Sequence, residues 1–503
     1  MMKENISRNI TFTLSLTIIT TALSFIMNKY LLSTLGDEEL GLFRLLSQMI
    51  FYLALLDLGI STSATVAYYK PIIDNDTRKV SIIFNTIDKF YRKVSIITII
   101  IGVLLIPAIQ YIIELDSYFM LTCYWLVFVL NAAFSFMINR YVILFLADQK
   151  VFFVKAVTGI SLILERIFQI LIIIEFESFL LFIFAGIFSN LIRYIFFKRK
   201  IKNNYNIDLD EIDIDKSIKS DANKMFYHKL AHIILYNTDN IIIAKFISLS
   251  AVASYSSYLM LTSLVMTIVS IFHSVVDPVV GQMIIKQSNI RNFELWYMLF
   301  RFSFWIAGFI GLGFYYFATP FINNWLGEQV TLSQVIVLTI VINLLFDIVK
   351  WPTEIIKYKY SYYKDIYNPI IEVIINLALS LYLVQIYGLI GVIIGTIFVN
   401  LISNLIVKPI IVFKYCFNMS LINYFKSLLL SLSELILAVT ISYMVFSNYH
   451  LLGDSLSHSW FDLVFGLSKF VSMYILVWVV IVCFFRSHGT LRQLYLFIKN
   501  KRV

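Results

Sequence analysis

Long apolar stretches alternate with short polar ones from one end of the chain to the other. A helix needs about 20 mainly apolar residues to cross the hydrocarbon core of a bilayer. Fourteen stretches meet that need: 9–32, 42–67, 94–113, 118–138, 156–174, 178–197, 229–248, 256–280, 302–320, 333–350, 368–386, 389–410, 426–447 and 464–485. Each is much longer than a barrel strand of about 9–11 residues, and none alternates polar with apolar positions. The pattern predicts an all-α polytopic membrane protein of about 14 helices and excludes an outer-membrane barrel. The first stretch is long, contains Lys29 and is followed by no small-residue cleavage site. It is expected to be an uncleaved anchor rather than a signal peptide.

The lysines and arginines orient these spans. With the N-terminus in the cytoplasm, the inner segments are 1–8, 68–93, 139–155, 198–228, 281–301, 351–367, 411–425 and 486–503. All of them are basic, with clusters such as Lys198, Arg199 and Lys200, or Lys499, Lys501 and Arg502. The outer loops near 33–41, 114–117, 175–177, 249–255, 321–332, 387–388 and 448–463 carry acids such as Asp37, Glu38 and Glu39 but no Lys or Arg. An even number of spans with both ends inside is therefore expected. Composition agrees: 60% of residues are hydrophobic and 14% charged, with a mean hydropathy of +0.83. A water-soluble domain is about 25% charged. The net charge of +9 is thus explained by topology and needs no nucleic-acid partner. The loops are too short to house a catalytic domain, so no enzyme activity is expected.

Isolated polar motifs add little. Asp208 and Asp210, with Asp213 and Asp215, resemble the acidic pair that holds a cation against a sugar nucleotide, but no nucleotide-binding fold surrounds them. A solvated acidic turn is the favoured reading. His228 and His232 have the i, i+4 spacing of a zinc pair but lack the glutamate of a metalloprotease helix. They read as interfacial histidines. Cys123, Cys416 and Cys483 are far apart in sequence and read as packing residues, not as a metal or disulfide set.

Ionisable residues inside spans are costly and usually face a cavity or a partner. The embedded cations are Lys29, Arg44, Arg166, Lys245 and Lys469; the embedded acids are Asp57, Glu165, Asp239, Asp277, Asp347, Glu372 and Glu434. Lys29, Arg44 and Lys245 fall at one level, about a turn below the outer ends of spans one, two and seven. They either snorkel to the interface or line a cationic cavity suited to a polyanion. Asp57, Glu165 and Asp239 lie nearer the midplane. They serve either as cavity lining and ion-coupling groups or as helix–helix hydrogen bonds.

A duplication is also visible. At an offset of 207, Glu165 maps on Glu372 and Gln169 on Asn376; at an offset of 216, Lys29 maps on Lys245 and Lys70 on Lys286. Two six-span lobes are expected, 1–225 with its inner linker and 226–413, followed by a pair of spans with a basic tail at 414–503.

Several runs then point to a known family. They are Leu35-Gly36-Asp37-Glu38-Glu39-Leu40-Gly41-Leu42-Phe43, Leu55-Leu56-Asp57-Leu58-Gly59-Ile60, Asn237-Thr238-Asp239-Asn240-Ile241-Ile242-Ile243 with Val252-Ala253-Ser254-Tyr255, and Glu372 to Ser380 followed by Tyr387-Gly388, Gly391, Gly395 and Thr396. In order and spacing, spans one to twelve resemble the Wzx-type polysaccharide flippases of the multidrug/oligosaccharidyl-lipid/polysaccharide exporter superfamily. The resemblance implies two lobes around a central cavity in the bacterial inner membrane. It implies translocation of an undecaprenyl-diphosphate-linked oligosaccharide for O-antigen or capsule synthesis, beside the polymerase and chain-length regulator of that pathway. It assigns Lys29, Arg44, Lys245 and Arg166 to substrate binding. Fourteen-span relatives exist beside the common twelve-span form.

No ATPase motif is present, so a proton or sodium gradient is the expected energy source, with Asp57, Glu165 and Asp239 as coupling candidates and no other cofactor. Two alternatives remain at this point. A cation-coupled multidrug exporter of the same superfamily would bind its cargo through acids and aromatics. A membrane-embedded polymerase or glycosyltransferase would carry its reactive residues in a sizeable outer loop.

Overall fold

The computed structural model describes residues 2–53, 57, 60–115, 117–208, 238–360, 362, 367–448 and 459–484. No strand occurs among them. The protein is an all-α polytopic membrane protein. Large apolar side chains such as Ile18, Leu171, Ile268, Ile374, Leu429 and Leu476 are exposed along its helices. So much uncovered apolar surface is tolerable only against lipid.

The chain forms two compact units, Met1–Ala253 and Ser254–Val503. The expected lobe boundary at 225/226 lies outside the described residues, as do Asp210, Asp213, Asp215, His228 and His232. Helices of the first unit are α1 (Met2–Leu35), α2 (Asp37–Leu53), α3 (Ile60–Ile73), α4 (Thr77–Leu104), α5 (Ile106–Ile112), α6 (Tyr118–Ala147), α7 (Val151–Phe176), α8 (Phe179–Asn204) and α9 (Asp239–Phe246). The next helix, α10 (Leu249–Lys286), leads into the second unit. There follow α11 (Asn289–Leu326), α12 (Gln334–Val349), α13 (Trp351–Lys359), α14 (Tyr367–Tyr387), α15 (Leu389–Ile402), α16 (Leu421–Asn448) and α17 (Trp460–Phe484).

Among the described residues, eleven helices are long and apolar enough to cross a bilayer, and twelve if α4 and α5 make one bent span. The bend is 47° and has a local cause: Pro107 occupies the first turn of α5, where it cannot donate back into α4. The other two expected stretches, 42–67 and 229–248, include residues outside those described. The structure therefore supports the all-α fold without reaching the expected count of 14. Several inner segments are continuous with the spans. Helix α4 begins at Thr77, α6 runs to Ala147, and α11 starts at Asn289. Hydropathy marks where hydrocarbon ends, whereas the helix continues until a turn residue stops it. After α6 that residue is Gln149, with a positive φ of 57°.

In the first unit, α1 packs on α7, while α4, α6 and α8 form a second layer. Trp125 of α6 donates its indole N–H to Gly102 O at 2.7 Å. The missing side chain at Gly102 lets Val129 approach α4. Below lies a core of Tyr68, Ile87, Tyr91, Leu144, Phe145 and Phe197. The chain leaving α8 is fastened to this layer. Asn85 donates to Asp208 O at 2.8 Å, Asp208 N donates to Ser81 Oγ at 3.0 Å, and the Tyr205 hydroxyl donates to Asp148 at 2.5 Å. Burial, and then that bond, push the Tyr205 phenol well above its usual range. Helix α9 belongs to this unit because it packs on α2 and α5.

In the second unit α11 is the most enclosed span among those described. Helices α12, α13, α16 and α17 pack around it. The described part of 414–503 is thus an integral layer on α11. The hairpin of α14 and α15 closes on small residues. A Cβ at Gly391 would strike the Leu383 carbonyl, and one at Gly395 would strike Ser380. Alanine at both positions is expected to cost about 1–3 kcal/mol through overpacking, read as a lower thermal unfolding midpoint of the purified protein. An unchanged midpoint would show that the hairpin does not need this approach.

Candidate functional site

Helix α7 presents Glu165 and Arg166 in succession, and both are largely enclosed despite their charge. Glu165 is 9% exposed. Arg166 Nη1 lies 3.8 Å from Glu165 Oε1 and also donates to Gln169 Oε1. Gln169 in turn reaches across to Phe182 O of α8 at 3.4 Å. Its counterpart in the second unit, Asn376, crosses its own hairpin to Thr396 Oγ1 at 3.0 Å.

Two further arginines join this group. Arg44, on α2, lies close enough to Arg166 for their charges to repel. Arg193, on α8, lies within the field of Glu165 and donates to Ser189 Oγ at 3.2 Å. Its Nε is buried without an acceptor. Three guanidinium groups thus share one region of the first unit with the Glu165 carboxylate. Arg193 also borders a cavity of about 390 Å³ between α2, α6 and α8.

The other expected residues are placed differently. Lys29 is exposed on α1. Lys245 is held at the end of α9: its Nζ donates to Tyr111 O at 2.7 Å and to Glu114 at 3.1 Å, and lies 4.2 Å from the Tyr111 ring centroid. Asp57, between α2 and α3, accepts from the Tyr91 hydroxyl and from Ser61 Oγ at 2.9 Å. These bonds link the α2–α3 connection to α4. Asp239 opens α9 within the electrostatic range of Tyr52, and the adjacent Asn240 donates to Gln48 of α2.

In the second unit the embedded acids are engaged by neighbours. Asp277 accepts from Trp351 at 3.2 Å, Asp347 meets Lys350 at 2.5 Å, and Glu372 accepts from Asn368 and Ser403. Glu434 of α16 forms a buried ion pair with Arg301 of α11 and accepts from Trp305 Nε1 at 2.9 Å. Among the described residues, no group of three or more His, Cys, Asp or Glu side chains could hold a metal ion.

Sequence reasoning passed over Arg193 and the amides near it, Asn131, Asn139 and Asn190. Arg193 sits near the cytoplasmic end of its span and reads as a topology charge. The amides are neutral, so a search for ionisable residues ignores them. The available signal was three asparagines in or beside two apolar spans.

The all-α fold of this chain recurs in solved polytopic membrane proteins. The chain is similar to a solved lipid II flippase MurJ in its inward closed conformation, with a TM-score of 0.66 and 15% identity, covering 95% of this chain and 99% of that one. It is also similar to a multidrug resistance MATE family transporter of the MOP superfamily in its inward-facing conformation, with a TM-score of 0.58 and 16% identity, covering 77% and 92%. No protein-family model matches the chain, and no curated protein sequence matches it.

Proposed function

We propose that the protein is a flippase that moves undecaprenyl-diphosphate-linked oligosaccharide units from the cytoplasmic to the outer leaflet of the bacterial inner membrane, feeding O-antigen or capsule synthesis. The observation that carries this reading is the excess of arginine in the first unit. Holding Arg44 beside Arg166 inside a span costs free energy, and a diphosphate between them would turn that repulsion into attraction. Guanidinium forks suit phosphate oxygens geometrically. Similarity of fold to a lipid II flippase over nearly the whole length of both chains supports the same class of cargo. A multidrug exporter shares the fold but has no use for paired interior arginines when its cargo is cationic.

The diphosphate and first sugars would enter the protein while the lipid tail stays in the bilayer, and alternating access would expose the headgroup to each side in turn. Lys29 and Lys245 are proposed as secondary contacts, since Lys245 must first release Glu114. The downstream polymerase and chain-length regulator are proposed partners. Deletion of the gene is expected to leave full-length lipid-linked repeat units on the cytoplasmic face. Single repeats accumulating outside would instead mark a polymerase.

A proton or sodium gradient is the proposed driving force, with Asp57, Glu165 and Asp239 as coupling groups. Asp57→Asn, Glu165→Gln and Asp239→Asn combined are expected to remove the response of translocation to an imposed gradient. A triple variant whose transport still follows the gradient would sink the coupling assignment.

A further inference from the structure

We infer that the cavity between α2, α6 and α8 is a subsite for a sugar ring, adjoining the arginine group that meets phosphate and sharing Arg193 with it. The inference rests on the flippase reading and deepens it. At about 390 Å³, the cavity falls within the range of roughly 300–1,000 Å³ typical of small-molecule sites, far larger than an ion needs. Its lining is chemically mixed: the amides of Asn131, Asn139 and Asn190, the hydroxyls of Ser47 and Ser135, and the ring of Phe128.

Two of the lining side chains each carry a buried polar atom without a partner among the described residues. Asn190 is 2% exposed. Its Nδ2 donates to Asn131 O at 3.1 Å and to Asn131 Oδ1 at 2.5 Å, which fixes the amide orientation. Its Oδ1 is buried with no donor. A carbonyl oxygen in that position wants an O–H or N–H. Ionised phosphate oxygens have none to give, whereas a sugar hydroxyl does. Three residues on, Arg193 Nε carries the complementary defect, a buried N–H with no acceptor. Residues at i and i+3 share a helix face, so α8 offers an acceptor and a donor side by side. Both atoms are closed off in this structure; once the two side chains turn toward the cavity, a polyol hydroxyl, which donates and accepts at once, would satisfy both. Gly186, one turn before Asn190, lets the Asn131 amide approach α8, because a Cβ there would collide with it. The negative faces of aromatic rings favour the C–H faces of a pyranose.

The test uses the full chain in lipid nanodiscs with two soluble probes, N-acetylglucosamine and inorganic pyrophosphate. Saturation transfer to the sugar protons reports the cavity, and phosphorus line broadening reports the arginine group. The wild type is expected to saturate the sugar, and Asn190→Leu to weaken that binding about tenfold, as for loss of a buried hydrogen-bond partner, with pyrophosphate broadening unchanged. Asn139→Leu, which leaves the Asn131–Asn190 bonds intact, should weaken it in the same direction. Wild-type binding of pyrophosphate without sugar saturation, or saturation equal in both variants, overturns the subsite and leaves the flippase reading standing. Sugar saturation without any pyrophosphate broadening supports the subsite while contradicting the anion site of the flippase reading.

Discussion

Replacing Arg44 and Arg166 together with glutamine is expected to abolish translocation. Neutralising both removes their mutual repulsion but also takes from Glu165 its partner Arg166, so some loss of stability is expected as well. In the loaded site each guanidinium would make charge-assisted bonds worth about 1.5–3 kcal/mol. Losing both therefore weakens headgroup binding about a hundredfold or more. Arg44→Lys keeps the charge but not the fork and should fall between. Lys245→Met supplies the contrast. Its ammonium is already committed to Tyr111 and Glu114, and its loss should reduce transport only modestly. The measurements are translocation in reconstituted vesicles and thermal unfolding in detergent. Loss of transport no greater than the loss of folded protein would make the arginines structural instead.

The second large effect concerns stability. Arg301→Met alone, or Glu434→Leu alone, leaves one buried charge without this ion pair, at a cost of about 3–5 kcal/mol. Arg301 donates through Nε to Glu434 at 2.9 Å, and Trp305 adds a bond to the same carboxylate, so α16 is tied to α11 at its most enclosed level. Either single variant should lower the unfolding midpoint sharply and reduce the folded yield. The double replacement removes both charges and should recover most of the loss, because an apolar pair of similar volume is often neutral or better. A double variant as unstable as the singles would show that the pair is more than a paired charge.

These two cases show what the sequence could and could not convey. Glu434 stands out as an acid in an apolar stretch. Its partner did not, because Arg301 sits at the edge of a basic segment and looks like a topology charge; only the continuous helix Asn289–Leu326 carries it inward. Arg193 was hidden in the same way. The spans themselves were legible because about 20 apolar residues in a row have one physical solution in a bilayer. Side-chain pairing across helices has no such signature. Glu165 and Arg166 were visible as an anomaly, but the approach of Arg44 depends on how α2 packs, and the engagement of Lys245 by Glu114 depends on where α5 ends. The amides of the cavity carry no charge and so left no mark on any search for ionisable groups.

The central claim, that the protein carries a lipid-linked oligosaccharide across the membrane, is tested most directly by leaflet accessibility. Vesicles containing the purified protein and a fluorescent undecaprenyl-diphosphate oligosaccharide are treated with a membrane-impermeant quencher. The account predicts that quenching, confined to the outer leaflet in protein-free vesicles, extends to the whole labelled pool when the wild type is present and not when the Arg44→Gln, Arg166→Gln variant replaces it. Quenching that stays confined to the outer leaflet with the active wild-type protein would contradict it.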